Sequence, residues 1–119
     1  MKILFLEDHS FFAKEIIDYI QLFLNEKSEI DIYYANTYKE AVALLEKHKN
    51  FDRAILDVQL QNGRNGIEFA DMNRSKIGKI LFMTGCIEPQ ILGTLEEKKY
   101  QYISKQALLW DTLTKFIKE

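Results

Sequence analysis

The chain alternates short apolar runs with longer amphipathic stretches. Ile3–Leu6 is a compact apolar run of strand length. Phe11–Lys27 reads as a helix, with Phe12, Ile16, Ile20, Phe23 and Leu24 at helical spacing. Ile30–Ala35, rich in isoleucine and tyrosine, is a second strand. Thr37 and Glu40 form a capping box that opens helix two, whose apolar face carries Ala41, Leu44 and Leu45. Ala54–Leu56 is strand three, and it ends at Asp57. Gln61–Gly66 is a loop by composition, with Gly63 and Gly66 inside it. Ile67–Ser75 is a short helix three, and Lys79–Thr84 is strand four. Pro89 suits the first turn of helix four, which runs to about Lys98. Tyr100–Ile103 is strand five and Gln106–Lys118 helix five.

Five βα units in strict alternation predict an α/β fold, a doubly wound (βα)5 parallel five-stranded sheet with helices on both faces. Strands one, three and four lack polar alternation, as strands covered on both sides do. Ligands of such sheets bind at the carboxyl ends of the strands, where the strand order reverses. The residues at those ends are therefore the ones to examine.

Composition narrows the picture. The 119 residues are the usual size of one domain, 1–119, and suffice for one core. A formal net charge of −2 gives no support for nucleic acid or an anionic membrane held by bulk charge. The first apolar run meets acids after four residues, too soon for a signal-peptide core or a membrane span. One cysteine, Cys86, leaves no internal disulfide and fits a reducing cytoplasm. The chain has no internal repeat and no low-complexity tract.

Strand one ends at Glu7-Asp8, strand three at Asp57, strand four at Thr84-Gly85 and strand five at Ser104-Lys105. Taken singly these residues are ordinary. An aspartate after a strand is usually a helix cap, and a lysine is usually a solvated charge. Their joint occurrence, each at the correct end of its own strand, is the signal. Two carboxylates about 4 Å apart repel by roughly 4 kcal/mol at an effective dielectric of 20. Three acids on one rim call for a cation, and an all-oxygen donor set with few protein ligands suits Mg²⁺. Asp57 could then attack phosphorus, with the metal on one side, Lys105 on the other and Thr84 donating to a third oxygen.

These motifs carry a resemblance. The acidic pair in "FLEDHS", the aspartate in "DRAILDVQL", the hydroxyl in "FMTG" and the lysine in "YISK" resemble those of receiver domains of two-component response regulators, of the stand-alone chemotaxis-regulator type. The resemblance covers the whole chain, and Asp57, Thr84 and Lys105 lie at family-like separations of 27 and 21 positions. It implies a flavodoxin-like strand order 2-1-3-4-5. It implies Asp57 as phosphoacceptor, with Glu7, Asp8, Asp57 and the Gln59 carbonyl around Mg²⁺, Glu7 mainly through water. Lys105 would pair with the phosphoryl oxygen, Thr84 would turn inward to bind it, and Tyr102 would be the switch aromatic. Gln59 and Cys86 would tune dephosphorylation. The donor would be a phosphohistidine on a sensor histidine kinase or phosphotransfer protein. The face of helix four, strand five and helix five would meet a downstream protein target or output domain. No outside metabolite would be turned over.

Some positions depart from the family pattern. Gln106 stands where proline is common, and without proline a trans peptide is expected. The loop after Asp57 lacks a usual proline and reads as one residue longer; Gly85 replaces a common alanine. Gly93 inside helix four costs about 1 kcal/mol against alanine and would loosen it. His9 is read as a neighbour of the acids rather than a ligand, and His48 as a surface residue. Phe11, Phe12, Tyr100, Trp110 and Phe116 are read mainly as core.

Three other functions fit less well. A phosphorylation-independent docking module would keep the fold and ignore phosphate. An aspartyl-phosphate phosphatase needs a second acid two positions after its nucleophile, and here that position is Gln59. A nucleotide binder would want glycine in the first strand–helix turn, where Glu7 to Phe12 has none and two acids.

Overall fold

A computed structural model describes residues 1–60, 65–85, 88–106 and 110–119. The expected loop at Gln61–Gly66 is therefore seen only at its end, and Cys86 and the first turn of the expected helix five lie outside the described residues. The strands are β1 (Lys2–Leu6), β2 (Asp31–Ala35), β3 (Phe51–Asp57), β4 (Ile77–Thr84) and β5 (Gln101–Ser104). The helices are α1 (Ser10–Tyr19), α2 (Tyr38–His48), α3 (Gly66–Asn73), α4 (Pro89–Glu97) and α5 (Trp110–Lys118). All strand pairs are parallel, in the order β2-β1-β3-β4-β5 expected from the sequence.

Alternate residues of each strand supply two apolar layers. Leu4, Leu6, Leu56 and Phe82 face Ala41 and Leu45 of α2, Phe69 and Ala70 of α3 and Leu95 of α4. Ile3, Phe5, Ile55, Leu81 and Met83 face Ala13 and Ile16 of α1 and Leu113, Phe116 and Ile117 of α5. Burial on both faces is why β1, β3 and β4 carry unbroken apolar runs. β3 and β4 begin two or three residues before those runs. Arg53 pairs with Lys79 in register, because backbone pairing needs no apolar side chain.

Helix one differs most from its sequence pattern. Its α-helical part is followed by a π-helical turn, Ile20–Leu24, and it stops there rather than at Lys27. Asn25 ends it by donating to the Ile30 carbonyl and accepting from the Ile30 amide, at 3.0 and 2.9 Å. Ile20 and Leu24 reach the core, whereas Phe23, expected on the apolar face, is 64% exposed. Phe11, also expected in the core, is 79% exposed. Tyr100 and Phe116 are buried as expected, but Trp110 remains on the surface with its ring stacked 4.4 Å from Tyr19. His48 is half-buried against Tyr33, not a free surface residue. The capping box of α2 closes in part. Thr37 Oγ1 accepts from the Glu40 amide at 3.1 Å, while the Glu40 carboxylate accepts from the Asn36 amide, one position ahead of the cap.

Candidate functional site

Parallel register brings the strand ends level. Leu6 pairs with Leu56, so the next residues, Glu7 and Asp57, emerge side by side; Thr84 pairs with Ser104, which places Lys105 beside the end of β4. The first turn is tied down from β2. The Tyr34 hydroxyl donates to the Glu7 carbonyl at 2.7 Å, and Asn36 Nδ2 donates to the Asp8 carbonyl at 3.1 Å. The chain after Asp57 is tied by close backbone approach. The Gly66 amide donates to the Val58 carbonyl at 2.7 Å, and a Cβ at Gly66 would fall 1.9 Å from the Asp57 carbonyl oxygen. Only glycine fits there.

Glu7, Asp57 and Thr84 are the buried polar residues among those described, and Asp8 is largely covered. Lys105 Nζ lies 2.7 Å from Glu7 Oε1 and 3.1 Å from Asp57 Oδ2. The Lys105 amide donates to the Thr84 carbonyl at 2.9 Å. The Lys105–Gln106 peptide is trans, as are all peptides among the described residues. Asp57, Gln59, Thr84, Gly85, Lys105 and His9 line an open cleft of about 300 Å³.

Charge crowding sets the protonation. Burial first, and the adjacent Glu7 charge second, push Asp57 up from 3.8 to about 7, against the pull of Lys105. Burial would also raise Asp8, but hydrogen bonds with Asp57 and Glu7 and the nearby His9 and Lys105 hold it below its ordinary value. Burial would lower Lys105; its hydrogen bond to Glu7 and the charges of Asp57 and Glu7 win and raise it. Near neutral pH Asp57 is thus divided between its protonated and ionised forms, while Lys105 is held as an ammonium.

The donor set fits a hard divalent cation. Glu7, Asp8, Asp57 and His9 each bring one ligand atom within 4.8 Å of the others. Three carboxylates facing one ammonium carry a charge surplus that Mg²⁺ would neutralise, and oxygen is its preferred ligand. His9 neighbours the acids, as its place in the chain implies. Its Nδ1 is 3.1 Å from Asp8 Oδ1 and 3.4 Å from Glu7 Oε2, although the side chain is mostly exposed.

The structure brings Glu7, Asp8, Asp57, Gln59, Thr84 and Lys105 to one rim. It keeps Tyr102 apart: its hydroxyl donates to Glu96 on α4 at 2.8 Å. Cys86 lies outside the described residues. The sequence reading missed Tyr34, Asn36 and Phe12. The rule that found the other strand ends, applied to strand two, would have found Asn36, the residue that follows Ala35.

The chain thus presents a parallel α/β sheet with an acidic cleft and a lysine at its carboxyl edge. The family model of the response regulator receiver domain matches residues 3–117, and the chain belongs to that family. No curated protein matches it. Several solved structures share the fold. The signal receiver domain of a DNA binding response regulator protein (merR) from Colwellia psychrerythraea 34H is 23% identical with TM-score 0.82, covering 99% of this chain and 95% of that one. The BeF3-activated N-terminal receiver domain of Klebsiella pneumoniae RstA is 21% identical with TM-score 0.78, covering 100% of both. A Burkholderia pseudomallei response regulator with a phosphorylated aspartic acid, calcium ion and citrate is 18% identical with TM-score 0.77, covering 97% of this chain and 65% of that one. No helix among the described residues is long and apolar enough to cross a membrane.

Proposed function

We propose that this receiver domain accepts a phosphoryl group on Asp57 from a phosphohistidine donor and signals by the resulting change of shape. The observation that carries the reading is the placement of Asp57 in the cleft, 4% exposed and 3.1 Å from Lys105 Nζ, between two other acids and the Thr84 hydroxyl-bearing strand end. An Asp57 carboxylate oxygen forms the new P–O bond as the P–N bond to histidine breaks, and the imidazole leaves. Lys105 holds one phosphoryl oxygen and Thr84 donates to another. Glu7, Asp8, Asp57 and the Gln59 carbonyl would hold Mg²⁺, which when bound neutralises charge on the transferring group. Gln59 lines the same cleft and, with Cys86, would set how readily water reaches the acyl phosphate.

Receiver domains as a family work with histidine kinases and output domains. For this chain a kinase or phosphotransfer protein in a reducing cytoplasm is the proposed donor. Phosphorylation would draw Thr84 inward and release Tyr102 from Glu96, altering the face of α4, β5 and α5. The Burkholderia pseudomallei relative holds a phosphorylated aspartic acid and a calcium ion, which agrees with this chemistry. The test is to incubate the protein with acetyl phosphate and Mg²⁺ and read the intact mass. A single phosphate adduct on the native chain, absent from Asp57→Asn and lost on chelation, is expected. No adduct under any condition would leave the phosphorylation-independent docking module as the better reading.

A further inference from the structure

Lys105 presents a mechanical problem. Its backbone is well held, by its own N–H donating a hydrogen bond to the Thr84 carbonyl and by the next residue, Gln106, whose Nε2 donates to the Gly85 carbonyl at 3.3 Å. Its ammonium, however, sits at the end of a flexible four-carbon stem. Two carboxylate oxygens, from Glu7 and Asp57, hold that nitrogen from one side. They are the groups whose charge a divalent ion or a phosphoryl group would redistribute, so they alone do not keep the nitrogen in place through a reaction. A third contact comes from a side chain that carries no charge. The Phe12 ring, in the first turn of α1, lies with its centroid 5.1 Å from Lys105 Nζ.

Phe12 is partly buried against the α1–α5 layer, and a leucine would fill that role equally well. What the aromatic ring adds is its electron-rich face, within the range where a cation is attracted to it. With the ring beside it, the Lys105 side chain is only 16% exposed, and desolvation strengthens such a contact.

We propose that Phe12 is a positioning residue, whose ring face holds the Lys105 ammonium between Glu7 and Asp57. Its consequence for phosphoryl transfer rests on the function proposed above; the contact itself does not. Neighbouring Phe11 points to solvent and serves as the control.

The experiment replaces Phe12, site by site, with mono-, di- and trifluorinated phenylalanine. Fluorine withdraws charge from the ring face and leaves its shape nearly unchanged, so a packing role predicts no trend. The first readout is solvent exchange of the Lys105 Nζ protons by NMR in the resting protein without metal. Exchange should quicken in order of fluorination, by about fivefold from the native to the trifluorinated ring. The second readout is the rate of labelling by acetyl phosphate with Mg²⁺, which should fall in the same order. Phe12→Leu should behave like the trifluorinated ring, and Phe12→Trp should restore both readouts. The same series at Phe11 should change neither. An exchange rate flat across the Phe12 series overturns the inference, whatever the labelling does. If the native chain takes no phosphate, the proposed function falls, and the exchange series still decides the role of Phe12.

Discussion

Replacing Asp57 by asparagine should stabilise the metal-free protein, and do so more as the pH rises. Asp57 is 4% exposed beside Glu7, and its carboxyl titrates near 7 rather than 3.8. A carboxyl raised in the folded state contributes stability that is fully present below about 3.8 and lost as pH rises through about 7. Three units of separation correspond to about 4 kcal/mol when the loss is complete. Most of it can be read in an accessible window. Between about pH 5.5 and the midpoint the folded state holds roughly one more proton than the unfolded chain, and that slope costs about 2 kcal/mol. Asparagine keeps the shape and does not titrate. Urea unfolding of both chains in EDTA, at about pH 5.5 and 8.5, should therefore show the advantage of Asp57→Asn growing by about 2 kcal/mol. Asp71 does not feel Asp57 and cancels in the difference, while Asp8 and Lys105, which do feel it, are shifted down and up respectively, away from this pH window. Adding Mg²⁺ at pH 8.5 should then close the gap, since a ligand at a hundredfold excess over its Kd stabilises by about 3 kcal/mol and the variant lacks one of its carboxylates. An advantage that is constant with pH, or that shrinks as pH rises, would refute the claim that burial and charge crowding at Asp57 set its protonation.

Two further substitutions test the frame around the site. Gly66→Ala places a methyl group against the backbone carbonyl of Asp57, which cannot swing away like a side chain. Urea unfolding should show a loss of about 3 kcal/mol, and a loss below about 1 would mean that the chain after Asp57 is looser than its hydrogen bonds imply. Gly93→Ala should do the opposite. Its Cβ would meet nothing within 4 Å in α4, so the helix gains about 1 kcal/mol in thermal unfolding and stronger amide protection over Ile91–Leu95. Unchanged protection would mean that glycine does not loosen this helix.

The strand ends were legible from the chain because a parallel sheet obeys a simple rule: apolar runs stop where the rim begins, and chemistry collects there. Asp57, Thr84 and Lys105 follow three such runs. The limits of the reading have physical causes. Phe51–Arg53 and Ile77–Gly78 also belong to strands, yet the polar residues and glycine among them hide that in the sequence. Helical spacing placed both Phe23 and Leu24 inside, but in the π-helical turn only Leu24 is buried. Phe11 and Phe12 are identical letters in one helix turn. One points to solvent and the other lies over a lysine 93 positions away.

Alternating apolar runs and amphipathic stretches determined by themselves the layers of this protein, and the acids and lysine at the strand ends determined the kind of chemistry its rim can hold. Periodicity is local, and a chain of this size has few other ways to bury those runs. Only the tertiary structure decided what each rim residue touches. The hold of Tyr34 and Asn36 on the acidic turn, the approach of Gly66 to Asp57 and the ring over Lys105 join separate segments of the fold. Such contacts depend on register and helix docking to within an ångström, and no spacing along the chain encodes that.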